Sequence, residues 1–145
     1  MNVWAHLPNA HHIDWVIESI RRNLGTWSTS FLDRTWFTAV RNDAVNAAYD
    51  EEWNQDRNRA WDAALDATQD AIWEAALVEN TGTYWGSAWD SSTDAILALI
   101  AYDDCDQYLS MSYEMLLAYA TLSERPQAVL LLPLKWMREC EAIEA

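Results

Sequence analysis

Between Leu32 and Asn80 the chain contains no Gly and no Pro, and Ala recurs throughout. Such a stretch favours helix, because neither the backbone freedom of Gly nor the missing N–H of Pro is there to end one. A single helix of that length would reach ~70 Å, which a small domain does not accommodate. The polar cluster Asn54, Gln55, Asp56, Arg57 and Asn58 supplies the break. Two helices are therefore expected, at about 33–53 and 58–79, with the option of packing as an antiparallel pair.

The rest of the chain reads the same way. Asn9 can cap a first helix, Gly25 can end it, and Arg21 and Arg22 lie in its last turn, where cations suit the dipole. Ile13, Val16, Ile17, Ile20 and Leu24 form its apolar stripe, with His11, Asp14, Glu18 and Arg22 opposite. Ser30 or Asp33 would cap the next helix. A loop is expected over NTGTYWGS (80–87), followed by a helix capped by Ser91 or Ser92. Its AILALIAY segment (95–102) is apolar on every side, which places it at the centre of a bundle. Ser112 opens a further helix, Pro126 suits an early helical position, and Pro133 should kink or divide the terminal one. No strand-like alternation competes with these patterns. The expected fold is all-α: one domain spanning 1–145, with about six helices.

Charge is segregated along this chain. The 23 acidic and 9 basic residues give a net charge of −14, yet residues 1–60 account for only −2 of it. From Ala60 to Glu124 there is no Lys or Arg, and twelve carboxylates stand there. That balance argues against direct binding of nucleic acid, since such proteins concentrate cations. Residues 61–76 read WDAA, LDAT, QDAI, WEAA, which sets Asp62, Asp66, Asp70 and Glu74 at successive i, i+4 positions. Trp61, Leu65, Thr68, Ile72 and Ala76 would share the opposite face. Each like-charge pair costs a few tenths of a kcal/mol, so the row opposes folding by about 1 kcal/mol, which the alanines can offset. A solvated outer face is the plain account of such a row. The functional one is imitation of nucleic acid, because carboxylates a turn apart are spaced ~6 Å, not far from the phosphate repeat of a DNA strand. Asp103, Asp104 and Asp106 extend the acidic sector.

Ten tryptophans accompany the acids, and most Trp side chains fill cores. Two fit that role poorly. Trp15 falls about 150° from the apolar stripe of the first helix, and Trp73 lies on the acidic side of the repeat. An aromatic anchor ringed by charge has the composition of a binding hot spot.

Catalytic signatures are missing. His11, Asp14 and Glu18 stand at i, i+3, i+7, a spacing that can collect metal ligands, but a surface coincidence is the better account of them, and HExxH is absent. The DDCD run followed by Glu114 fails as a calcium loop, because Cys105, Gln107 and Tyr108 occupy its third, fifth and sixth positions. Cys105 sits among aspartates that suppress its thiolate. No enzyme activity, metal or cofactor is expected. Two cysteines, no secretory leader and no apolar run approaching ~20 residues point to the cytoplasm and away from a membrane.

The segments WDAALDATQDAIWEAAL, AILALIAYDDCDQYLSM and AVLLLPLKWM together resemble small Ala/Trp/Asp-rich proteins of tailed bacteriophages, over roughly residues 57–137. That resemblance implies expression in a bacterial host and a part in host takeover or counter-defence. The leading expectation is a non-enzymatic protein that binds and inhibits a basic nucleic-acid-binding protein of the host. Its site would comprise Asp62, Asp66, Asp70, Glu74, Trp73, Asp103, Asp104, Asp106 and Trp15. A general interaction or assembly module anchored by Trp is the alternative, and a metal-dependent enzyme using the His11 face is the third.

Overall fold

The computed structural model describes residues 3–28, 35–51, 53–79, 85–123 and 125–144. These form seven helices and no strand: α1 (Ala10–Ser28), α2 (Thr35–Asp50), α3 (Gln55–Glu79), α4 (Trp85–Ala101), α5 (Cys105–Leu109), α6 (Tyr113–Ser123) and α7 (Pro126–Glu144). The all-α expectation holds. The additional helix is the short α5, five residues long, directly behind Asp103 and Asp104.

α4 is the central element, as its unbroken apolar segment demands. Every residue from Ser91 to Tyr102 is buried, and α1, α2, α3 and α7 all pack on it. Its start differs from expectation. The helix begins at Trp85, so Ser91 and Ser92 lie inside it rather than capping it. Ser92 Oγ instead donates to the Ala88 carbonyl (2.7 Å), and Thr93 Oγ1 to the Trp89 carbonyl (2.7 Å). Buried hydroxyls are thus satisfied by the preceding turn of their own helix.

α1 also departs from the simple reading. It continues through Gly25 to Ser28, with a single non-helical residue at Asn23. Beyond that kink Trp27 is buried and donates to Ser19 Oγ (2.9 Å), which donates to Glu141 on α7 (2.5 Å). Tertiary packing of Trp27 carries the chain past the expected stop. Asn9 precedes α1 as expected, and its carbonyl accepts from the His12 and Ile13 amides. Its side chain does not cap α1. The Asn9 amide donates to the carbonyls of Leu99 (3.0 Å) and Tyr102 (2.6 Å), closing the C-terminus of α4 instead.

α2 ends at Asp50 and α3 begins at Gln55, where Asn54 Oδ1 accepts from the Arg57 amide (2.8 Å) as a helix cap. The two helices do not form a lengthwise pair: among the described residues α2 packs on α7 and α4, and α3 on α1 and α4. Tyr49, Trp53 and Trp61 join them at the corner through edge-to-face contacts. The fully buried residues of α3 include Ala60, Ala64, Thr68 and Ala71, while Trp61, Leu65 and Ala76 are half-buried. The core face is therefore rotated towards the alanines, whose small side chains let α3 approach its neighbours.

Ser112 caps α6 through Met115 (3.2 Å), and α7 starts at Pro126. Pro133 does not divide α7, which runs through it fully buried. From α7, Lys135 Nζ donates to the Leu109 carbonyl at the end of α5 (3.0 Å), and Glu139 accepts from the Tyr113 amide at the start of α6 (2.5 Å). A cation meets a helix C-terminus and an anion an N-terminus, as the helix dipoles require. The expected caps Ser30 and Asp33 lie outside the described residues. No described helix is long and apolar enough to cross a membrane.

Candidate functional site

The acidic repeat lies on an outer face of α3. Asp62, Asp66, Asp70 and Glu74 are all exposed, opposite the buried alanines. Glu74 meets Arg21 of α1 (3.3 Å), and no cation among the described residues lies within 4.0 Å of the other three carboxylates. The row therefore faces solvent with little neutralisation by cations of the described residues.

Trp73 stands in the row, 53% exposed, and Leu77 one turn further on is 67% exposed. Beside them runs a groove of about 640 Å³, lined by Gln69, Asp70, Ile72 and Trp73 of α3 and by Gly86 and Trp89 of α4. No spacing rule marks Ile72, Gly86 and Trp89 as neighbours, because they join only when α3 and α4 pack. The legible signal was the run Ala76, Leu77, Val78, which continues apolar beyond the core stripe.

The other acids do not share this surface. Asp103 and Asp104 are exposed behind the C-terminus of α4. That end meets the N-terminal end of α1 through Asn9, while His6 pairs with Asp56 at the start of α3 (2.6 Å). From Asp56 to Glu74, α3 rises ~27 Å, so the DDCD acids and the Trp73 groove belong to different ends of the molecule. Tyr102 lies close enough to Glu51, Asp104 and Asp50 that these charges, together with burial as the main cause, push its hydroxyl up to about 12. Asp94 leaves the acidic sector altogether. It is buried and gripped in two-pronged fashion by Arg41 of α2 (2.5 and 2.7 Å), with burial pushing its carboxyl up and Arg41 pulling it back.

Asp106 takes part in a different construction. His12 is buried, and its Nδ1 meets Arg138 Nη2 (2.5 Å) while Nε2 meets Asp106 Oδ1 (2.5 Å). A guanidinium only donates, so Nδ1 is the acceptor and Nε2 carries the proton given to Asp106. The His12 bond in turn holds the Asp106 carboxyl below its ordinary range. The His11 ring lies tilted against that of His12 and 3.9 Å from Asp106. This places His11, His12 and Asp106 together in ligand-like fashion. A metal-bound imidazole, however, donates its second N–H to an acceptor, and here that nitrogen faces Arg138. The helical spacing of His11, Asp14 and Glu18 does not gather them into one site: Asp14 accepts from Trp4 Nε1 (2.9 Å) and Glu18 pairs with Arg21 (2.5 Å).

Trp15 is likewise committed. It is half-buried against the core, with Arg138 over its ring at 5.0 Å and Arg22 at 5.8 Å. Its charged surroundings, which suggested an exposed anchor, are those of a cation–π contact across α1 and α7. Cys105 is fully buried, its Sγ directed at the Ala98 carbonyl (3.4 Å); burial first, then Asp104, Asp106 and Asp103, pushes the thiol up.

Comparison with known proteins finds no family model, no curated protein and no solved structure that matches this chain.

Proposed function

We propose that this chain is a non-enzymatic binding protein of the bacterial cytoplasm whose acidic α3 face occupies the basic, nucleic-acid-binding surface of another protein and so inhibits it. The observation that carries this reading is the row of Asp62, Asp66, Asp70 and Glu74, exposed along one helix with only Glu74 in an ion pair among the described residues. Like charges held one turn apart oppose folding, and their presentation to solvent makes a ridge of negative potential. Such a ridge steers a positively charged partner and speeds its association. The bacteriophage resemblance implies the setting, host takeover or counter-defence. A second reading, a module held chiefly by aromatic anchoring, is favoured by the 53% exposure of Trp73.

The test is capture of partners from a bacterial lysate, followed by competition with double-stranded DNA. A nucleic-acid-processing protein that DNA displaces from the immobilised chain is expected. The carboxamide variant Asp62→Asn, Asp66→Asn, Asp70→Asn, Glu74→Gln should capture none of it. A captured protein that DNA leaves in place, and that Trp73→Ala releases, would replace this reading with the second one.

A further inference from the structure

Resting on the acidic-face reading, we infer that the groove between α3 and α4 seats an apolar side chain carried on a basic helix of the partner. Ile72, Trp73 and Trp89 give the groove an apolar lining, and Gln69 and Asp70 give it a polar edge. Its volume, about 640 Å³, falls within the range of sites that bury small ligands, and therefore holds a large side chain. Trp73 and Leu77, respectively 53% and 67% exposed and one turn apart, extend an apolar strip beside it. A contiguous strip of this kind beside charged residues marks an interaction surface rather than scattered exposure.

Charge selects the occupant. A second copy of this chain also carries −14, and its acidic rim would face the same rim, which like-charge repulsion opposes. Nucleic acid is repelled for the same reason. A segment with Lys or Arg on both sides of an apolar stripe satisfies the acids and the groove together. A helix provides that pattern, because basic residues at i, i+4 match carboxylates presented at i, i+4.

Gly86 makes the groove testable by itself. A Cβ built there meets no atom within 4 Å, so a larger side chain enters open space, and replacing a helical Gly also raises helix propensity. The probes are two synthetic helical peptides with identical Lys flanks, one with Leu and Trp along its stripe and one with Ala there. The anchored peptide should bind the wild-type protein at least about tenfold more tightly than its Ala twin. Gly86→Phe should remove that advantage while melting as the wild type does, and Trp73→Ala should shrink it. The carboxamide variant of the acidic row should weaken both peptides. Equal binding of the two peptides to wild type overturns the groove inference, as does an advantage that survives both Gly86→Phe and Trp73→Ala. The acidic-face reading stands in those cases if the carboxamide variant still loses both peptides. Undiminished binding of both peptides by the carboxamide variant overturns that reading itself.

Discussion

Asn9 shows how a single side chain can serve a helix other than its own. It is 1% exposed, and its amide satisfies two carbonyls at the end of α4. Asn9→Ala should cost about 1–3 kcal/mol in denaturant unfolding, because both carbonyls lose a buried partner; a loss near zero would mean that water replaces it. His12 gives a pH signature. Burial is the main reason that it is held below its ordinary value of 6.5, and Arg138 and His11 push in the same direction against Asp106. The unfolded chain therefore binds a proton that the folded one resists. The neutral-His12 contribution is complete above 6.5 and declines as pH falls through that value towards the lower folded one. The stability advantage of wild type over His12→Gln should accordingly shrink from about pH 8 to about pH 5. A constant advantage, measured by urea unfolding at both pH values, would contradict the assigned tautomer and burial.

At the scale of elements, local pattern and tertiary override can be separated residue by residue. The unbroken apolar run at 95–102 had only one place to go, and the alanine-rich repeat had to be helical. The Gly25 stop was overridden by the burial of Trp27, and the Pro133 break by a helix buried on both sides of it. Helix pairing was not legible, since the preference of α2 for α7 and α4 depends on contacts far apart in sequence. One of those contacts is the Arg41–Asp94 pair, whose Asp94 side chain is 3% exposed. Arg41→Leu should cost roughly 3 kcal/mol, because it strands a buried carboxylate, whereas Arg41→Leu with Asp94→Leu should recover most of that loss. Urea titration of the three proteins measures both differences. A double variant as unstable as the single one would show that the pair matters for more than its charge.

At the scale of the molecule, the acidic sector splits in two. The row on α3 was legible because one helix displays it at a four-residue period, and its exposure follows from the alanine face opposite. Asp94, Asp106 and Trp15 have partners that local sequence does not reveal, because Arg41, His12 and Arg138 come from other helices. The Trp73 groove was half legible, in the aromatic alone. The α3 carboxylates are proposed to carry the binding. Measuring the affinity of the captured partner at about 50 mM and about 300 mM salt, for wild type and for the carboxamide variant, tests it most directly. Wild-type binding should weaken more than about tenfold over that range, chiefly through slower association. The variant, folded and up to about 1 kcal/mol more stable, should not bind. Nearly salt-independent binding that survives the four substitutions would contradict this role of the carboxylates.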